Sequence, residues 1–277
     1  MSFKKNLSEK TEIRQELLPS SYQILGDLML IKFLKIKSLR QKQKIASSIL
    51  VLFPYIKTVC EIKGIDNEFR VPKVRKLLGK KTETIHKEHG ILYKLDAAKI
   101  MFSKGNLHER QRLISKVKKD EIIADMFAGI GYFSLPLSKK CAKVYAIEKN
   151  PVAYRYLKEN IKLNKIKNIE PILGDCRHIL KGKEIKEEKN HRFVLSVDHI
   201  IMGYFSGTEK FLPYALKMLK NGGVIHFHNT YRESELWEKP ISDLRKHIKK
   251  FKILNKKIVK SVGPRNYHIV IDLKVNS

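Results

Sequence analysis

The sequence predicts an α/β fold: a mostly parallel seven-stranded sheet with helices on both faces, preceded by a smaller α+β domain. Three observations predict it. From Glu121 onward, short apolar runs rich in Val and Ile alternate with stretches whose apolar residues recur at helical spacing. A pair of glycines follows the first of these runs and opens a helix. Residues 1 to about 115 follow another pattern, richer in strands, and 277 residues are enough for a large core plus a smaller one.

In chain order, SYQILGDLMLIKFL reads as strand, RQKQKIASSILVLFP as helix, and CEIKGIDNEFRVPKVRKLLGKKTETIHKEHGILYKLDAAKIMF as further strands of the smaller domain. SKGNLHERQRLISKV, 103–117, is a polar helix that joins the two parts, so the expected domains are 1–115 and 116–277. In the larger part EIIADMF, KVYAIE, IEPILGD, RFVLSVDHIIM and VIHFHNTY are strand-like, the fourth being buried from Val194 to Ile201. FSLPLSKK, PVAYRYLKENIKLN and TEKFLPYALKMLK between them are helical, with Pro151 where a first turn tolerates proline. Such alternation implies right-handed crossovers and a parallel sheet. KILNKKIVKSV and NYHIVIDLKV have only Gly263, Pro264 and Arg265 between them, so the sheet closes with an antiparallel pair. That layout resembles the Rossmann-like class I methyltransferase fold.

With 43% hydrophobic and 31% charged residues the chain has a globular composition, which argues against disorder. Its 57 Lys and Arg against 28 Asp and Glu leave +29, pointing to a polyanionic partner, nucleic acid before membrane surface. The alternative reading of part of this excess is the lysine enrichment of an AT-rich or heat-adapted genome. Cys60, Cys141 and Cys176 have no paired spacing, so neither a disulfide framework nor a metal site is expected. No run approaches the roughly 20 apolar residues of a membrane span. A cytoplasmic, monomeric protein without metal or membrane is the expectation.

DMFAGIGYF, 125–133, places Asp125 at a strand end and Gly129 and Gly131 in the turn after it, where the backbone must bend sharply and approach a ligand. Such turns occur in many α/β proteins. Glu148 at the next strand end sharpens the reading, since a carboxylate there accepts from ribose hydroxyls, and Asp175 with Cys176 stands one strand later, placed to meet an adenine edge. A dinucleotide would prefer a third glycine where Ser134 stands. A nucleoside with a short charged tail fits better, and S-adenosylmethionine is the common one.

These segments, with AIEKNPVAYRYLKENIKLN, IIMGY and the upstream TETIHKEHGILYKLDAAKIMFSKGNLHER, resemble the archaeal wybutosine-synthesizing aminocarboxypropyltransferases of tRNA from about Tyr22 to the end. Their near relatives are the tRNA guanine methyltransferases that act next to the anticodon. Met-Gly-Tyr in place of the methyltransferases' Asn-Leu-Pro separates the two. The resemblance implies that Ser103 and Arg110 reach over the cofactor with Glu148, Asp175 and Cys176; a guanidinium fork suits a carboxylate. It also implies transfer of the 3-amino-3-carboxypropyl group of S-adenosylmethionine to a ring carbon of 4-demethylwyosine in tRNA(Phe). The alternatives are a guanine methyltransferase and a non-catalytic RNA binder. Two positions depart from the family: Cys176 replaces Asn, and His199 replaces Arg.

An enzyme that alkylates a nitrogen bearing hydrogens uses Asn and a proline-locked carbonyl to accept them; a ring carbon needs neither, while Tyr204 can still stack on the base. Asp198 and His199 are the candidates for taking the ring proton, with water or a residue of the smaller domain as the alternative. For RNA, FRVPKVRKLLGKK offers Arg70, Lys73 and Arg75, and KSVGPRNYH offers Arg265, Tyr267 and His268, basic groups beside aromatics as an anticodon loop requires.

Overall fold

The computed structural model describes residues 3–66, 69–103, 106–178, 195–205 and 207–276. The chain divides into two compact units, Met1–Phe102 and Ser103–Ser277. The joining helix therefore belongs to the larger unit, and the division falls earlier than the boundary expected at residue 115.

In the smaller unit α1 (Phe3–Thr11) precedes β1 (Tyr22–Leu25) and β2 (Leu28–Ile31), which form a hairpin rather than one strand. Gly26 makes the turn at φ 53°, and a Cβ there would lie 2.2 Å from the Thr84 hydroxyl. Helix α2 (Leu39–Leu52) starts at Ser38, whose hydroxyl accepts from Gln41 N–H, and buries Ile45, Ala46 and Ile49. It crosses to β3 (Thr58–Asp66), parallel to β2, and β4 (Val71–Leu78) returns antiparallel. Met29, Ile31, Ile45, Ile49, Val59 and Leu77 form this unit's core. A separate hairpin joins β5 (Glu83–Glu88) to β6 (Ile91–Asp96).

The larger unit opens with α3 (Leu107–Lys116) and β7 (Ile122–Asp125), then α4 (Ser134–Leu137), β8 (Lys143–Glu148), α5 (Pro151–Leu163) and β9 (Ile169–Leu173). Asn150 caps α5 by accepting from Val152 N–H, Pro151 sits at its first turn, and Ala153, Tyr156, Leu157 and Asn160 are its buried face. β10 (Val197–Met202) follows; Arg192, Phe193 and Val194 of the expected strand lie outside the described residues. A 3-10 turn at Thr208–Phe211 leads into α6 (Leu212–Met218), which ends before Leu219 and Lys220, the first residues of β11 (Leu219–Arg232). Then come α7 (Glu238–Arg245), β12 (Phe251–Gly263) and β13 (Asn266–Val275).

The sheet order is β12-β13-β11-β10-β7-β8-β9. β7 to β11 are mutually parallel, and β13 is inserted between β11 and β12, antiparallel to both. This is the expected Rossmann-like class I methyltransferase arrangement. The chain runs outward through β8 and β9, then returns to β10 on the other side of β7, so a crevice opens at the carboxyl ends of β7 and β10. Ala124, Ile147, Val197, Ile200, Ile225, Phe227, Ile269 and Ile271 fill the core beneath it. No helix among the described residues is long and apolar enough to cross a membrane.

Candidate active site

The glycine turn follows β7. Gly129 and Gly131 have φ of 58° and 98°, and Cβ atoms there would lie 2.7 Å from the Tyr132 ring and 2.6 Å from the Leu135 side chain. Only glycine serves at both. Asp125, fully buried, accepts from Ser134 Oγ at 2.7 Å and from Phe127 N–H at 3.3 Å. Its carboxylate thus ties the turn together and does not present itself to a ligand. Burial pushes its pKa up to about 6, against the pull of the Ser134 and Phe127 hydrogen bonds.

Glu148 ends β8. Its Oε2 accepts from Gly129 N–H at 2.7 Å and its Oε1 from Asn150 N–H at 2.6 Å, linking the glycine turn to the start of α5. Burial raises its pKa, and these amides oppose the rise. A carboxylate has about four acceptor sites, more than the backbone amides of Gly129, Lys149 and Asn150 use, so acceptor capacity remains for a ribose hydroxyl. Asp175 stands after β9 and holds Arg177: Oδ1 accepts from Nε at 2.9 Å and Oδ2 from Nη2 at 2.6 Å. The guanidinium keeps that carboxyl well below the usual range and ionised. Cys176 turns inward instead. Its thiol lies in the core with Tyr145 and Ile172, and burial pushes its pKa up to about 12, so the side chain is no partner for adenine and only the backbone remains for that role.

On the β10 side, Met202 is fully buried and Gly203 leaves room for Phe133, whose ring would lie 2.9 Å from a Cβ. Tyr204 stacks on Phe127 with ring centroids 5.0 Å apart and planes 26° apart, and Phe211 meets Phe127 edge-on at 4.9 Å. Arg177 lies 5.4 Å over the Phe211 ring. Phe127, Phe211 and Arg177 went unread in the sequence, although Phe127 sits inside DMFAGIGYF and Arg177 directly follows Cys176. The joining segment closes the group: Arg110 is buried, lies 5.1 Å over the Tyr132 ring and donates from Nη2 to the Ser103 carbonyl at 3.0 Å. Among the described residues there is no cluster of His, Cys, Asp and Glu able to hold a metal ion.

Three expected residues are elsewhere. Asp198 lies at the amino end of β10, the far end from the crevice, where it accepts from Ile122 N–H at 2.9 Å and Lys220 Nζ at 2.8 Å. His199 follows it inside the sheet, with Nδ1 3.0 Å from His226 Nε2 and Nε2 3.1 Å from Glu121. Burial, then the charge of His226, lowers its pKa. Neither side chain lies at the carboxyl strand end, where Tyr204 follows β10. His268, expected to touch RNA, is 2% exposed, bonded through Nε2 to His228 Nδ1 at 3.1 Å and packed on Phe205. Arg265 is exposed in the turn between β12 and β13, and the Tyr267 hydroxyl is 3.4 Å from Glu233. In the smaller unit, Arg70 is half-buried 3.7 Å from the Met101 sulfur, Lys73 pairs with Asp66 at 3.1 Å, and Arg75 is exposed.

The TRM5/TYW2 methyltransferase domain matches residues 84–255 and the TYW2 N-terminal domain residues 3–82. A relative in Methanocaldococcus jannaschii, named tRNA(Phe) (4-demethylwyosine(37)-C(7)) aminocarboxypropyltransferase, is 47% identical over 76% of this chain and 82% of its own length. The crystal structure of Pyrococcus horikoshii TYW2 in complex with MeSAdo superposes at a TM-score of 0.82 with 35% identity, covering 99% of both chains. The complex of aTrm5 and tRNALeu gives 0.83 with 34% identity, over 100% of this chain and 78% of that one. Matched across both of its units, the chain belongs to the TRM5/TYW2 family.

Proposed function

We propose that this protein is an S-adenosylmethionine-dependent transferase that moves the 3-amino-3-carboxypropyl group to C7 of 4-demethylwyosine, the modified guanine next to the anticodon of tRNA(Phe). One observation carries the choice of a ring carbon over a nitrogen as acceptor: β10 ends in Met202, and Gly203 and Tyr204 follow, an apolar floor and a stacked aromatic where a nitrogen-alkylating enzyme needs a carboxamide and a fixed carbonyl to accept hydrogens. The name and identity of the Methanocaldococcus relative agree with it.

The residues fit the donor. The positive-φ glycines let backbone approach it, Glu148 keeps acceptor capacity for a ribose, and the ionised Asp175 offers an acceptor to an adenine amino group. When bound, S-adenosylmethionine supplies a sulfonium carbon to which the ring carbon bonds, the broken C–S bond leaving its electron pair on sulfur as methylthioadenosine departs. What the chain contributes is placement, so proximity and orientation are the main catalytic effect. Arg110 and Ser103 lie beside the glycine turn to hold the charged tail. Tyr204, on Phe127, borders the base. The ring proton leaves to water or to a group other than Asp198 and His199, which face the opposite strand end.

The partner is tRNA, in keeping with the +29 charge and with the relative solved on tRNALeu. Arg70, Lys73, Arg75, Arg265 and Tyr267 are the proposed contacts to the anticodon loop, whose base must leave its stack to react. The test is mass spectrometry of tRNA(Phe) carrying 4-demethylwyosine after incubation with S-adenosylmethionine. Gain of the amino-acid group is expected; gain of a single methyl would make the protein a methyltransferase, and no gain a binder.

A further inference from the structure

Lys260 reaches the site by sheet register, from a strand at the far edge. It pairs with His268, which pairs with Thr230 of β11. Because Met202, the last residue of β10, is aligned with Phe227, Thr230 lies beyond the carboxyl end of that strand. Lys260 thus stands at the same edge as the glycine turn and Tyr204. Its Nζ donates to Ser103 Oγ at 2.7 Å and lies 5.4 Å over the ring of Phe205, the residue after Tyr204. The Phe205 carbonyl is itself fixed by Thr230 Oγ1 at 2.7 Å.

Two cations therefore meet at one serine. Arg110 holds its carbonyl and Lys260 its hydroxyl, and Arg110 lies against Tyr132 of the glycine turn. With Oγ accepting from an ammonium, the hydroxyl hydrogen is directed away from Lys260 toward another acceptor. Of the charged groups on S-adenosylmethionine, the sulfonium and the ammonium would be repelled here; the carboxylate of the amino-acid arm would be attracted. Glu109, next to Arg110 on its helix and 3.5 Å from Lys257 on the strand of Lys260, is already engaged by the Arg112 guanidinium at 2.7 Å.

We propose that Lys260 is a donor-binding residue that, together with the Ser103 hydroxyl, holds the carboxylate of the amino-acid arm and so determines which sulfonium carbon faces the base. It rests on the transfer reaction proposed above and adds a residue to it. The same ammonium contacts the loop carrying Tyr204, so the arm and the base-bordering aromatic take their positions from a shared point.

The test is calorimetric titration of full-length wild type, Lys260→Met and Lys260→Arg with two ligands: S-adenosylmethionine, and methylthioadenosine, which keeps the adenosyl group and sulfur but lacks the arm. A charge-assisted contact predicts that Lys260→Met binds S-adenosylmethionine about tenfold or more weakly while methylthioadenosine changes by less than about twofold, and that Lys260→Arg restores most of the loss. Equal weakening for both ligands would reduce Lys260 to a tether of β12, and unchanged S-adenosylmethionine affinity would also overturn the proposal. Wild-type transfer of a methyl group would remove the transfer reading alone, leaving the two-ligand contrast to judge Lys260.

Discussion

Glu148 and Asp125 stand at neighbouring strand ends and illustrate two uses of a buried carboxylate. Glu148 braces the turn, so Glu148→Ala leaves the Gly129 and Asn150 amides without their acceptor and, on the proposed function, removes the ribose acceptors as well. Calorimetry should then show S-adenosylmethionine affinity falling about tenfold to a hundredfold. Asp125 is internal, and its linkage runs the other way from most carboxylates. Its folded pKa, about 6, is above the ordinary 3.8, so its contribution to stability is complete below pH 3.8 and is lost as pH rises through 6. Above that, the buried charge costs about 2–3 kcal/mol. Asp125→Asn, which keeps an oxygen for Ser134, should raise the thermal midpoint at pH 8 and bring no gain at pH 4. A midpoint lowered equally at both would mean that the two hydrogen bonds outweigh burial. On the proposed function Tyr204 borders the base and not the donor, so Tyr204→Leu should lower kcat/KM for tRNA by about tenfold to a hundredfold, from lost stacking, with methylthioadenosine binding unchanged.

Helix α3 brings Arg110 to the site, and its hold on the sheet comes from a buried polar chain. Arg112 donates to Glu109 on its own helix at 2.7 Å and to both oxygens of Asp272 on β13; Asp272 accepts from or shares a proton with His226 Nδ1 at 2.7 Å, and His226 continues to His199. Burial alone would raise the Asp272 pKa; His226 and Arg112 reverse this and hold it well below the ordinary value. The stability gained is therefore present above the unfolded carboxyl's pKa of about 4 and drains as pH falls below it. Arg112→Met leaves two carboxylates buried without their guanidinium, a loss of about 3–5 kcal/mol in urea unfolding at neutral pH that narrows on acidification. A loss that did not depend on pH would point to packing and not to charge.

Across the molecule the dominant quantity is charge. With +29 in 277 residues, tRNA binding should weaken steeply with salt, log affinity falling linearly with log salt concentration. Arg75→Ala, an exposed strand position in the smaller unit, should reduce that slope by about one if its side chain meets a phosphate. An unchanged slope would remove Arg75 from the RNA surface. The strand order reverses between β7 and β10, and the crevice at that switch point is where the proposed function puts the donor and the base.

The glycine turn, the strand-end positions of Glu148 and Asp175 and the alternation of strand and helix were legible because each is local. Left-handed φ demands glycine, a strand end sits within a few residues of its turn, and apolar period reports which face is buried. Asp198 and His199 were misread because nearness to Tyr204 along the chain does not say which end of the strand opens on the crevice. Inserting β13 between β11 and β12 aligned Lys260 with the site and Asp272 with α3, contacts to Ser103 and Arg112 that span 157 and 160 residues. Short-range preference carries no information about such pairs; they follow from strand order and register, which depend on burying a common core.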